Sequence, residues 1–467
     1  MGLLAKHSWL VFSLFLAGCG GSTSSDGAAA GGSGGAGGAS GGSTATGGTS
    51  AGCTCAAPLV CDGAECVPAL QLMSVTPAGQ PGNAASELPD VTADGHALVF
   101  VSEAKDLAPQ TYGESNVFER YWPGGITSIV SGTGITATLA KSTLPAISQS
   151  GEYATLSSSF SFFPKDQNQN FDVLVSDLHT LSLDLISTDA SGAVLPGAST
   201  ESALSEDSGR MVFTTENALV PEDENGIKDV YLLERGAAGP VLLSVPAPDT
   251  FPSSGSFAPH IAAHGRFVTF VSSAPDPAGG DDTQSFDVFV RDLDTDMLTR
   301  VTPPAAGDGY FLLQNPRISA EGEVVVFASK RSFSPDDGDS ATDVYAWSRA
   351  SGQLSIVSRS ATGQKGDDDS QNPSVSADGR FVAFESRATN LVDGDDNGKF
   401  DVFVVDTTTH EVVLLSRAQA PANGHSRHAR ISGDARFVAF DSEASNLVPG
   451  DENAASDVFL ARNPLSL

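Results

Sequence analysis

The chain has 467 residues, with 25 Lys and Arg against 57 Asp and Glu and a formal net charge of −32. That sign disfavours nucleic acid and anionic lipid surfaces as partners, because a phosphate backbone is held by cations. An acidic surface instead supports solubility and attracts cations.

In chain order, Lys6 precedes an apolar run that ends in Leu16-Ala17-Gly18-Cys19. The run is too brief for a stop-transfer helix and reads as a secretory leader over residues 1–18. Its ending resembles the lipobox of bacterial lipoproteins. That resemblance implies cleavage before Cys19 and acylation there by a diacylglycerol and an amide-linked chain, enough for stable attachment to a lipid bilayer. Gly20 stands where an acidic residue would retain the protein in the inner membrane, so the expected location is the outer membrane of the cell envelope. Residues 19–52 are almost wholly Gly, Ala, Ser and Thr. Such a tract cannot bury a core and reaches about 30 Å as a flexible tether. Its Gly-x-Ser-x-Gly strings lack the strand-turn-helix that a nucleophile elbow needs. Residues 53–68 form a small cysteine-rich module holding Cys53, Cys55, Cys61 and Cys66. The even count, the secreted context and the lack of a Cys-x-x-Cys pair favour two disulfides, of open pairing, over a zinc site.

From residue 69 to 467 one phrase recurs. Its mark is an Asp ahead of a strand-forming run, at Asp172, Asp229, Asp287, Asp343, Asp401 and Asp457, with Asn116 as a weaker first copy. Successive spacings are 56, 57, 58, 56, 58 and 56 residues. Spacing this even means stacked copies of one supersecondary unit. In the sixth copy a strand around Asn372–Ser376 meets the turn Asp378-Gly379, a dipeptide suited to a tight hairpin. Phe381–Phe384, Asp401–Val405 and Val412–Ser416 follow as β-branched and aromatic runs too short for helices. Four antiparallel strands per copy predict an all-β fold, a seven-bladed β-propeller. The last copy supplies only three strands, while Leu70–Ser74 is similar to Val413–Ser416. Residues 70–76 are therefore predicted to complete blade seven, closing the ring and removing two free edges. The strings over 376–386, 446–453 and 287–295 resemble the TolB-like, WD40-like repeats of secreted and periplasmic bacterial proteins. The resemblance implies the propeller; for function it implies only that such propellers serve as binding scaffolds, enzyme modules or lids.

Two sets of residues are candidate sites. In blade six, Asp393, Asp395, Asn397 and Asp401 match the start of a calcium loop, with Val404 where an EF-hand has its bidentate Glu. Calcium is the one cofactor candidate. The core Asp-x-[Asn/Asp]-x3-Asp recurs in other blades, where such residues also fix a turn without metal by accepting backbone N–H bonds. The second set is where innermost strands vary around a fixed scaffold: Asp90, His260, Arg317, His428 and Arg430, a patch around the central channel suited to an acidic peptide or sugar. The pairs His260/His264 and His425/His428, four and three residues apart, are read on inner strands, where such spacings do not converge on a metal as they do on a helix. No catalytic constellation can be placed. The expected function is a monomeric, membrane-anchored lipoprotein whose propeller is a non-catalytic scaffold for protein or polysaccharide. The alternative is a glycan-degrading hydrolase or lyase, which needs paired carboxylates facing the channel, whereas the acids concentrate in outer loops.

Overall fold

The computed structural model describes residues 49–50, 53–54, 59–62, 65–109, 111–132, 140–245, 255–274, 286–303 and 313–466. The stretches read above as leader and tether lie, but for residues 49–50, outside the described residues, as do Cys19, Cys55 and the loop before Asp287 over 275–285. In the cysteine module Leu59–Asp62 pairs antiparallel with Glu65–Pro68, and Cys61 stands opposite Cys66 in register.

Seven four-stranded antiparallel sheets follow. The first strands are Ser86–Val91, Ser142–Ile147, Ser199–Leu204, Ser256–Ile261, Leu313–Ile318, Ser370–Val375 and Ser426–Ile431, in blades one to seven. Each pairs with a second strand that pairs in turn with a third, and the fourth lies outermost. Cross-strand aromatic pairs between the second and third strands carry the core: Phe100/Phe118, Phe213/Tyr231, Phe270/Phe289, Phe327/Tyr345, Phe384/Phe403 and Phe440/Phe459. Their rings stack at centroid distances of 5.7–6.2 Å. Pairs of this kind add about 0.5–1.5 kcal/mol each beyond their buried area. Blade two has Leu156 opposite Leu174 instead.

The recurring Asp at the start of the third strand is a pin. Its Oδ1 accepts from a hydroxyl after the fourth strand: Ser187 to Asp172, Ser244 to Asp229, Thr302 to Asp287, Ser358 to Asp343 and Ser416 to Asp401, all at 2.5–2.8 Å. The same hydroxyl oxygen accepts from the next backbone N–H, as Val402 donates to Ser416 at 2.9 Å. Blade seven makes this pin with the start of the chain. Ser74 donates to Asp457 at 2.5 Å and accepts from Val458 at 3.0 Å, beside the strand Leu70–Leu72 paired with Phe459–Ala461. The ring therefore closes as the sequence predicts, through a shorter element. Pairing ends at Met73 and Ser74, and Val75 turns away to bridge Pro81.

One feature of all seven blades is not foreseen by strand patterning. The third residue of every first strand is a non-glycine in the left-handed region: Leu88, Leu144, Glu201, Ala258, Asn315, Asn372 and His428, with φ between 44° and 55°. The register with the second strand shifts at that point in every blade, a β-bulge. A non-glycine there costs roughly 1–3 kcal/mol and persists only where surroundings enforce it. Each bulge re-aims one side chain at the axis.

Candidate functional site: the central channel

The bulges divide the channel into two sections. The wider, about 250 Å³, is lined by the third to fifth residues of the first strands. The narrower, about 70 Å³, is lined by the fifth and sixth residues and by the hairpin turns beyond them, including Gln149, Ala263 and Gly433. All five residues of the sequence-derived patch are here. Asp90, Arg317 and Arg430 border both sections, His260 the narrow one and His428 the wide one.

They do different things. Position five of one blade faces the strand end of the next. Asp90 accepts from Ile147 N at 2.9 Å, His260 Nδ1 from Ile318 N at 3.3 Å, and Ser374 from Ile431 N at 3.1 Å. These are latches between blades. Burial pushes the Asp90 carboxyl up, with the Arg430 and Arg317 charges opposing. Burial, then the same two guanidiniums, hold His260 well below the ordinary imidazole value, so its Nδ1 stays an acceptor. The arginines have no comparable work. Arg317 Nε is buried without a hydrogen-bond partner. Arg430 donates only to its neighbour's carbonyl, Ala429 O, at 2.9 Å. Burial and mutual repulsion bring Arg317 down to about 9, with Asp90 opposing, and burial lowers Arg430 as well. Neither guanidinium has a carboxylate within ion-pair distance among the described residues, although the charges of Asp90, Glu385 and Asp441 partly offset burial at Arg430, as that of Asp90 does at Arg317. Guanidiniums left so can take an anion's oxygens.

His428 belongs to a network that the sequence reading missed. Its Nδ1 donates to Asp441 Oδ1 at 2.7 Å, and its backbone N–H donates to Glu385 Oε2 at 2.7 Å. Asp441 also accepts from Leu88 N at 3.1 Å. Glu385 accepts from Asn372 and Gln371, each at 2.8 Å, and Asn315 donates to Asn372 Oδ1. The polar belt thus runs along blades five, six and seven to one. Burial opposes charge on His428, but the Asp441 hydrogen bond and the Asp441 and Glu385 charges outweigh it and raise the imidazole's affinity for a proton. The expectation that acids avoid the channel is corrected here. Asp90 and Glu201 line it, and the buried Glu385 and Asp441 stand directly behind. A signal was available: Glu385 and Asp441 occupy a second-strand position that is Val101, Val271 and Ala328 in other blades.

The blade-six loop is held by its own side chains. Asn397 Nδ2 donates to Asp401 Oδ2 at 2.6 Å and to Ala422 O at 3.1 Å, and both neighbours are acceptors, which fixes the amide's orientation. With Ser416 on its other oxygen, Asp401 has both oxygens engaged, and burial pushes it up to about 7. Asp395 is buried and Asp393 exposed. Asn168, Asn225 and Asn453 repeat the Asn–Asp contact at 2.6–3.1 Å. Blade five has Asp339 in place of Asn, and the missing donor comes from Lys365. Its Nζ lies 2.9 Å from both Asp339 and Asp343 and donates to Gly366 O at 3.1 Å. In blade four Arg331 meets Asp287 at 3.2 Å. Asp337, Asp339 and Asp343 are the described group close enough to share a metal, and an ammonium already sits among them.

No family model matches the chain, and no curated protein matches it in sequence. Solved structures are similar in fold. An oligogalacturonate lyase from Vibrio parahaemolyticus shares 12% identity at a TM-score of 0.52, over 85% of this chain and 97% of that one. A prolyl endopeptidase shares 10% at 0.51, over 81% of this chain, which spans only 50% of the enzyme's length. The structure described as a TolB from Agrobacterium tumefaciens shares 16% at 0.39, over 72% of this chain and 94% of that one. At such identities the likeness is one of fold, and function is argued from the site.

Proposed function

We propose that the protein is a cell-envelope lipoprotein, anchored through acylated Cys19, whose propeller binds an anionic group of a partner molecule in its central channel. The observation that carries this reading is the pair Arg317 and Arg430, without carboxylate partners, in a chain of net charge −32. A buried cation without a partner is costly, and an incoming anion relieves that cost. Titration calorimetry with short acidic peptides and oligouronides tests it. Binding that weakens about tenfold or more in Arg317→Gln and in Arg430→Gln supports the proposal, by the usual worth of a charge-assisted contact. Equal binding by both variants refutes it. Mass spectrometry of the mature N-terminus tests the anchor, and an unmodified Cys19 refutes that half.

A second reading, a glycan-degrading hydrolase or lyase, draws support from one feature. His428 borders the wide section with its imidazole oriented by Asp441, an arrangement that suits a general acid or base. Chain cleavage of a glycan panel by the wild type, lost in His428→Ala, would establish it.

A further inference from the structure

The ligand's form can be narrowed, on the reading that the channel takes an anion. We infer that the anion is the terminal carboxylate of a partner polypeptide, inserted end-on from the wide section with a small apolar last side chain.

The seat is one-ended. The narrow section is the tighter of the two, about 70 Å³ against 250 Å³, and Arg317 and Arg430 border it where the wide section ends, so a polymer going past the arginines would have to enter the tighter space. What reaches them is a chain end or a single protruding group. Room for it lies across the ring, where blades two and three carry Ala146 and Ala203 at the position that holds Arg317 and Arg430 in blades five and seven.

The wide section is two-sided. Leu88, Leu144 and Ala258, each followed by a proline, line the arc of blades one, two and four, where the Glu201 carboxylate of blade three between them is engaged by Ala258 N and Thr214; Asn315, Asn372 and His428 line blades five to seven. An apolar last side chain fits the first arc. The amides of the second, whose other contacts run along the belt, suit a peptide backbone's N–H and C=O groups.

Sugars and polyanions fit less well. No Phe, Tyr or Trp is among the described residues lining either section, and the two imidazoles there are held by Ile318 N and Asp441, so a sugar ring or a base lacks the broad π-face it usually stacks on. A polyuronate or polyphosphate brings many like charges to a surface of net charge −32, and repulsion acts over a Debye length of about 8 Å at physiological salt. A polypeptide end offers one carboxylate on an otherwise neutral tip.

The test uses the mature full-length protein and fluorescein-labelled hexapeptides ending in Ala, Val or Leu, each as free acid and as carboxamide. The free acids should bind, and amidation should weaken them at least about tenfold, the loss of one charge-assisted contact. Arg317→Gln and Arg430→Gln should bind both forms alike. Ala146→Leu, at a partly exposed residue that borders both sections on the opposite side, leaves both arginines in place and should also abolish free-acid binding. Equal binding of acid and amide by the wild type overturns the inference, as does recovery of amide binding by an internal Glu. Arginine-dependent binding of galacturonate but of no free-acid peptide overturns it too, while leaving the anion-binding channel intact. Failure of every anion to bind removes both.

Discussion

Glu119 is the sharpest place to test the physics of this fold. It occupies the fourth position of the third strand in blade one, where the other blades carry Val175, Leu232, Val290, Ala346, Val404 and Leu460. The residue is 2% exposed, its Oε1 has no hydrogen-bond partner, and burial pushes the carboxyl up from 4.5 to about 7 against the Tyr121 hydroxyl. The folded state therefore binds this proton more tightly than the unfolded chain does. Its stabilising effect is complete below pH 4.5 and is lost as pH rises through 7. At about 1.4 kcal/mol per pH unit, ionised Glu119 costs the fold about 3 kcal/mol at pH 8, of which about 2.5 is absent at pH 5. Unfolding entropy of about 2.1 cal/mol/K per residue over roughly 400 residues converts 3 kcal/mol into about 4 °C. Glu119→Leu, with the side chain of blades three and seven, should raise the calorimetric Tm by that amount or more at pH 8. At pH 5 most of the gain should vanish. Glu119→Gln should follow the same pH dependence, because it too removes the ionisation. A gain of equal size at both pH values, or destabilisation by Leu at pH 8, would refute the buried-carboxylate account.

Two further outcomes follow from the pins. Ser74→Ala strips Asp457 Oδ1 and Val458 N of a shared partner and should cost about 2–3 kcal/mol in denaturant unfolding. Ser416→Ala should cost the same if ring closure uses the ordinary pin; a much smaller loss for Ser74→Ala would show that the closing strand bears little. Lys365→Gln leaves Asp337, Asp339 and Asp343 close together without their cation, and losing one partner of a buried charge group costs about 3–5 kcal/mol. Millimolar calcium should restore much of that loss in the variant, read as a Tm shift. A variant that ignores calcium would show that the three acids lack the geometry for a metal.

Much of the fold was legible because the sequence states it seven times. Phe384 and Phe403, Asp401 and Ser416 are local to one copy, and their recurrence at even spacing forces equivalent sheets. Even the closure was readable, since Ser74 has the same role in blade seven as Ser416 in blade six. The bulge was not read, although its sign was present. Pro89, Pro145, Pro259, Pro316 and Pro373 sit one residue after the left-handed position, and proline inside a strand marks an edge or a bulge. Glu119, Glu385 and Asp441 are not legible in the repeat, because a repeat shows what its copies share. Each stands out only where one blade departs from its equivalents.

Local chemistry by itself determined the number of blades, the strand order within each and, in blades two to six, the partner of the recurring Asp, because these contacts form within one copy of the repeat. Which channel residues remain free is a different matter. Asp90 and His260 are engaged by the next blade's backbone, Arg317 and Arg430 are not, and His428 is oriented from a neighbouring strand. That distinction exists only once seven sheets stand around one axis, because burial and charge are set by whatever crosses the ring, which no spacing along the chain encodes.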